Sequence, residues 1–267
     1  MMLDNPRSPK VRAVAKLAQK QRRMEAGMFL VEGPQAIREA LAHRPELVVD
    51  VFLTPGAKDR YSDIVQLASS EGIELSLATD AVVDFMADTV TPQGIVAVCQ
   101  FHSVELETIL ATGATHLVIL HEVKDPGNLG NIIRTADAAG ANAVIITGDS
   151  VDVFNPKVVR ASTGSIFHIP LVTKADLSVT ISQLKDAGIR VLAADARGRD
   201  LVELRSAGEL AKPVAWMLGN EAHGLSDEAE ALADVVVSVP IYGTAESLSL
   251  PTAAAVCIYE TAFAQKA

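Results

Sequence analysis

An α/β protein of two successive sheets, the second made of parallel strands, is what this chain predicts, and three observations carry the reading. Short apolar runs alternate with stretches of helical spacing along nearly the whole length. The later runs, such as 117–121 and 214–218, are almost unbroken Val, Ile, Leu and Ala, as strands covered on both faces require. Hydrophobic residues make up 49% of the chain but aromatic ones only 4%, so the core must be aliphatic. At 267 residues, one large or two modest domains can bury such a core.

Taken in order, residues 10–23 have helical spacing, with Val11, Val14, Ala15 and Ala18 on one side. A strand is expected at 28–31, and Gly33-Pro34 breaks it and starts a helix through Leu41. Strand 47–53, helix 59–69, strand 73–77, a helix capped by Thr79-Asp80 and strand 94–100 complete a small α/β domain over 1–102. A linker over 103–114 contains the weak helix 106–110. From 115 to 267 the alternation resumes, with strands at 117–121, 143–147, 166–169, 189–193, 214–218 and 235–239. Helices at 128–139, 156–161, 176–187, 226–232 and 247–264 lie between and after them.

Composition excludes several classes. No apolar run approaches the ~20 residues of a membrane span, and the polar start has no signal-peptide core, so the cytoplasm is the expected site and no membrane partner is expected. Cys99 and Cys257 sit alone in apolar runs, and the six His residues show no ligand spacing, so no metal is expected. A net charge of −10 rules out a generally basic coat for nucleic acid. The first 27 residues, however, hold seven basic and two acidic side chains, a local +5. Lys20, Arg22 and Arg23 lead this cluster. It suits a polyanion, and it suits a merely solvated helix too.

Three strand–loop–helix junctions bear chemistry. In DPGNLGNIIRTADAAG, from Asp125, a turn leads into a helix whose expected N-cap is Asn128, with Arg134 six residues on. A helix N-terminus favours anionic or sugar oxygens, yet Asn128 as a simple cap and Arg134 as a salt-bridge partner account for the same residues. In LGNEAHGLS, Gly219 permits close backbone approach to a ligand, and Glu221 caps a helix or faces a substrate. His223 has a suitable ordinary pKa for a base but stands alone in its loop. In VPIYGTAESLSLPTAAA, Ser247 stands at a helix entrance beside Glu246. NPKVVRASTGSIFHIP adds Arg160, a phosphate contact or simply an exposed charge.

Together and in this order, these segments resemble the motifs of the SpoU (TrmH-type) RNA 2′-O-ribose methyltransferases, a branch of the SPOUT class of S-adenosylmethionine enzymes. FLVEGPQAIREAL and TPQGIVAV resemble that family's L30e-like RNA substrate-binding domain. The resemblance implies a deep trefoil knot in the C-terminal sheet, which periodicity does not reveal, and a homodimer with the active site completed near the subunit interface. It implies a catalytic set of Arg134, Asn128, Glu221 and Ser247. S-adenosylmethionine would be held by Leu218, Gly219, Val239, Ile241 and Leu248, and RNA by Lys20, Arg22, Arg23 and Arg160. Ribosomal RNA is expected as substrate in preference to transfer RNA because of the appended domain. One position departs from the family: Ser249 stands where Asn is usual, which puts detailed hydrogen bonding in question. Two other readings compete. A dinucleotide enzyme would need G-x-G-x-x-G after a first strand, and none is present. An RNA-binding module of the same fold without turnover would bind S-adenosylmethionine and transfer nothing.

Overall fold

Residues 2–266 are described by a computed structural model. The chain divides into two compact units: one runs to His102 and also takes Asp152–His168, the other holds Ser103–Val151 together with Ile169 onward. The change of unit after His102 falls at the end of the expected first domain. Residues 152–168 were expected with the C-terminal part and instead group with the N-terminal one. Residues 103–114 were expected as a linker. They carry the helix expected at 106–110, and its Leu106 and Ile109 are buried in the core of the second unit.

In the first unit, α1 (Pro9–Ala15) and α2 (Lys20–Ala26) replace the single expected helix, because Gln19 is extended between them. Then follow β1 (Met28–Glu32), α3 (Pro34–His43), β2 (Val48–Leu53), α4 (Pro55–Arg60), α5 (Ser62–Ser70), β3 (Leu75–Leu77), α6 (Asp80–Met86) and β4 (Ile95–Gln100). The sheet order is β1-β4-β2-β3, antiparallel except for β2 with β3. Val11, Val14 and Leu17 bury against β4 and α6 residues such as Val96, Val82 and Met86, so the leading helix is part of this core. Its ordering is hydrophobic: a fully buried Val or Leu side chain contributes about 1.5–3 kcal/mol.

The second unit holds α7 (Leu106–Leu110), β5 (His116–His121), α8 (Pro126–Ala139) and β6 (Ala143–Thr147). After β6 the chain enters the first unit for α9 (Pro156–Ser162). It then returns for β7 (Leu171–Ala175), α10 (Leu177–Asp186), β8 (Arg190–Asp200), α11 (Leu201–Ser206), β9 (Val214–Leu218), α12 (Asp227–Glu230), β10 (Val235–Ser238) and α13 (Leu250–Lys266). All six strands are parallel, in the order β10-β8-β9-β5-β6-β7. α7, α10 and α12 cover one face, where Ile109, Leu184 and Ala229 meet Ile119, Ala193 and Met217. On the other face Leu204, Leu210 and Cys257 enclose Trp216 and Leu192.

The strand expected at 166–169 is absent. Thr163 and Gly164 take left-handed φ values of 52° and 100°, and the chain passes into a 3-10 turn at Ser165–Phe167. A side chain at Gly164 would meet Glu39 Cγ at 2.4 Å, so close packing on α3 dictates this turn. Ile166 and Phe167 are buried as expected, but in a turn; the strand comes later, at β7.

Candidate active site

At the carboxyl ends of β5 and β9, two loops are joined by hydrogen bonds. β5 delivers Glu122, whose left-handed φ of 56° is unusual for a side chain of its size. Gly148 beside it has no room for more: a Cβ there would stand 2.8 Å from Glu122 Cγ and 2.9 Å from His121 Cε1. Asp125, not Asn128, is the N-cap of α8, its carboxylate accepting the Asn128 N–H at 2.8 Å. Helix α8 begins earlier than expected because Pro126 suits the first helical position. Asn128 therefore lies inside the first turn, with its side-chain amide free to face the β9 loop.

Glu221 is what that amide meets. The carboxylate accepts the backbone N–H of Lys124 at 3.1 Å and of Asp125 at 2.9 Å, and the Asn128 amide at 3.2 Å. Burial pushes the Glu221 carboxyl upward, but the N–H donors of Asp125 and Lys124 outweigh it and hold the group below its usual range. Glu221 thus fastens one loop to the other as a carboxylate. Asn220, which the motif analysis does not single out, ties the same loops a second time. Its amide donates to the Glu122 carbonyl at 3.0 Å, while its side-chain oxygen accepts the Ala222 N–H at 2.8 Å. Its place between Gly219 and Glu221 was the available signal.

Gly219 has a structural reason beside the expected one. A Cβ there would sit 2.4 Å from the Gly224 carbonyl, so the close approach is to the loop's own return, where Asn220 and Gly224 exchange two 2.9 Å backbone bonds. That tight loop is a partition. On one side lies an open cavity of about 1030 Å³ bounded by Glu122, Lys124, Asp125, Asn128 and the 220–226 segment. On the other lies a cavity of about 350 Å³, lined by Leu218, Gly219, Val239, Ile241, Ser247 and Leu248 among others. Every expected cofactor residue is on this second wall, together with Glu221 and Ser247. Its size falls in the range of small-molecule sites, and its aliphatic lining with a few polar groups fits a nucleoside-bearing ligand. Asp195, also absent from the expected set, lies on the same wall. Burial pushes its carboxyl up, but the backbone and guanidinium N–H groups of Arg197 prevail and lower it.

Arg134 is exposed on α8 and lies on neither wall. Ser249 takes the N-terminal position of α13: its carbonyl accepts the Ala253 N–H at 3.0 Å and its hydroxyl pairs with Thr252 at 2.7 Å. A hydroxyl residue caps a helix about as well as the Asn usual there.

Two of the expected RNA contacts are engaged in ion pairs within the first unit. Arg23 is only 1% exposed: its guanidinium pairs with Asp152 at 2.7 Å and donates to the Leu17 and Ala18 carbonyls at 2.8 Å. Arg160 is held by Glu32 at 2.6 Å and Asp88 at 3.0 Å, and Glu32 also accepts the Asp88 and Thr89 N–H groups. A buried carboxylate needs its cation, which sequence spacing could not reveal across more than a hundred residues. Lys20 and Arg22 are exposed, Arg22 beside Glu25 at 2.8 Å. Folding also gathers Glu39, His43 and His168 with ligand atoms within 4.8 Å, the one such group among the described residues. Glu39 is already engaged there by Gln35 and His168.

Residues 115–259 match the model of the SpoU rRNA Methylase family, and residues 30–104 match that of RNA 2′-O ribose methyltransferase substrate binding. The chain is 33% identical over 258 residues to the 23S rRNA (guanosine(2553)-2′-O)-methyltransferase RlmP of Bacillus subtilis (strain 168), covering 96% of this chain and 97% of that one. It is 31% identical over 253 residues to the 23S rRNA (uridine(2479)-2′-O)-methyltransferase of Streptomyces viridochromogenes, covering 92% and 86%. Among solved structures, the AdoMet-bound rRNA methyltransferase of Sinorhizobium meliloti superposes with a TM-score of 0.83 at 28% identity, covering 98% of this chain and 97% of that one. Parallel sheet, partitioned cavities and ordered motifs come together in one assignment: the chain belongs to the SpoU rRNA methylase family.

Proposed function

We propose that this chain transfers a methyl group from S-adenosylmethionine to a ribose 2′-hydroxyl of ribosomal RNA. The observation that carries the reading is the Gly219–Gly224 partition, which sets a small cavity lined by the motif residues directly beside a larger, open one. Leu218, Gly219, Val239, Ile241 and Leu248 would hold S-adenosylmethionine in the smaller cavity, where it supplies a methyl group already activated on a sulfonium. Asn128, pinned by Glu221, presents its amide where the ribose enters. Ser247 faces the same reaction space from the α13 side. Fixing these groups before substrate arrives removes much of the entropy cost of bringing donor and hydroxyl together.

The hydroxyl must become more anionic as the new bond forms. A guanidinium stays protonated at neutral pH and is a poor proton acceptor. Arg134 therefore acts as a clamp: it grips the neighbouring phosphate and stabilises charge growing on the 2′-oxygen, while the proton leaves through phosphate or water. The exposed position of Arg134, off both walls of its own chain, supports a homodimer in which each site is completed at the subunit interface. A trefoil knot is part of the same proposal. β10 lies at the sheet edge beyond β8, yet α13 comes back to α8 and β9, so the chain end recrosses strands already laid down. No described helix is long and apolar enough to cross a membrane, and a ribosomal substrate supports the cytoplasm as the enzyme's location.

The test is mass-spectrometric mapping of ribose methylation in ribosomal and transfer RNA from cells with and without the gene, with the purified chain and S-adenosylmethionine restoring the mark in vitro. One ribosomal 2′-O-methyl group lost and restored is the expected result. A mark confined to transfer RNA would move the substrate. Donor binding by calorimetry without transfer to any RNA would leave only an RNA-binding module.

A further inference from the structure

With Arg23 buried and the half-exposed Arg160 held by Glu32 and Asp88, another surface of the first unit stands out as a place for a nucleic acid. Phe85, on α6, is 47% exposed; the other aromatic rings of this unit are buried or half-buried. Its neighbours across a cavity of about 350 Å³ are Arg12, Ala15 and Lys16 at the end of α1. Helix α1 packs on α6, anchored by Val11 and Val14, so the cations and the ring are held on one rigid face. Arg12 and Lys16 are exposed and have no carboxylate partner among the described residues, unlike Lys10, paired with Asp50 at 2.7 Å, and Arg22. Asp80 and Asp84 are exposed on the same α6 helix, but neither lines the cavity.

Resting on the RNA reading above, we propose that Phe85, Arg12 and Lys16 form a contact for unpaired RNA, one base stacked on the Phe85 ring and its flanking phosphates held by Arg12 and Lys16. An isolated exposed apolar side chain is ordinary on a protein surface. A flat ring framed by two unpaired cations one helical turn apart is more specific, because a base offers a face for the ring and phosphates for both cations. Stacking tolerates any base, so this surface would capture a strand and leave the choice of nucleotide to the catalytic unit. A paired helix hides its base faces and would gain only the phosphate contacts.

The experiment measures anisotropy of a fluorescein-labelled single-stranded 12-nucleotide RNA, and of its blunt duplex, on the full chain over a salt series. Phe85→Ala is expected to weaken single-strand binding about 5- to 100-fold and duplex binding little. Phe85→Trp is expected to keep affinity and to show quenching of the new indole on RNA addition. Arg12→Gln with Lys16→Gln is expected to flatten the single-strand salt slope by about 1.4, whereas Lys58→Gln leaves it unchanged. Wild-type affinity in Phe85→Ala, equal losses for strand and duplex, or no strand binding by the wild-type chain at low salt would each overturn the proposal. Calorimetry with S-adenosylmethionine on the same variants keeps the two readings apart: unchanged donor binding with lost strand preference supports this surface, and absent donor binding in all of them would sink the methyltransferase reading alone.

Discussion

The Asn128 amide and the Glu221 carboxylate stand 3.2 Å apart, and through them a helix start and a strand end separated by 93 residues form one rigid corner. The same carboxylate accepts two backbone N–H groups, so three donors converge on one side chain. Glu221→Gln must turn an NH2 toward donors. We expect methyl transfer to fall at least about 10-fold with S-adenosylmethionine affinity changed only a few-fold, since leaving such groups unpaired costs about 1–3 kcal/mol. Steady-state kinetics alongside calorimetry checks it, and an unchanged rate would refute the positioning role. The pH sign follows from a folded-state pKa held below the usual Glu value: the stabilisation is present above about pH 4.5 and is lost as pH falls through the lower folded pKa.

Arg134→Lys replaces a planar fork with a point charge on an exposed position. The expected result is a rate loss of about 100- to 1000-fold, the size seen when a transition-state donor is removed, with thermal stability and S-adenosylmethionine affinity unchanged. Near-normal turnover at saturating RNA would discard the clamp.

Arg23→Gln is expected to act on stability and not on RNA. Removing one partner of the buried Arg23–Asp152 pair costs about 3–5 kcal/mol, because the other charge stays buried. Urea unfolding should register that loss. Lys20→Gln, at an exposed site, should leave the unfolding midpoint in place.

His116 is 3% exposed at the start of β5, and burial together with the nearby Lys266 charge pushes its pKa down to about 4. Unfolded, the ring would titrate near pH 6.5. The folded chain is thus stabilised fully above pH 6.5 and loses that advantage as pH falls from 6.5 to about 4, by about 3 kcal/mol in all. His116→Gln should flatten the stability curve across that window. Equal slopes in both proteins would show that the ring is not held neutral.

Trp216 and Thr261 are both fully buried, and the indole N–H donates to the threonine hydroxyl at 2.8 Å. This bond fastens α13 to β9. Thr261→Val leaves the N–H unsatisfied and is expected to lower unfolding stability by about 1–3 kcal/mol in chemical denaturation.

Much of this protein was legible one residue at a time. Strands β5, β6, β9 and β10 stood out as aliphatic runs because a parallel strand covered on both faces has no polar alternation to blur it. The wall proposed for the cofactor could be named in advance only because the family resemblance assigned Leu218, Gly219, Val239, Ile241 and Leu248 to it; folding then set these five around one cavity. What spacing could not decide were the partners of charged groups. Arg23 and Arg160 looked like surface cations until folding brought Asp152 and Glu32 to them, and burial, which makes such pairing obligatory, is a property of the packed chain. Gly219 and Gly164 likewise owe their identity to neighbours only the fold supplies, Gly224 and Glu39. Most of the elements, the aliphatic core and the family could be read along the chain; β7 and α11 could not. Which polar residues are structural, and which are left to meet a ligand, emerged only on folding, because hydrogen-bond partners are chosen by distance in space and not along the chain.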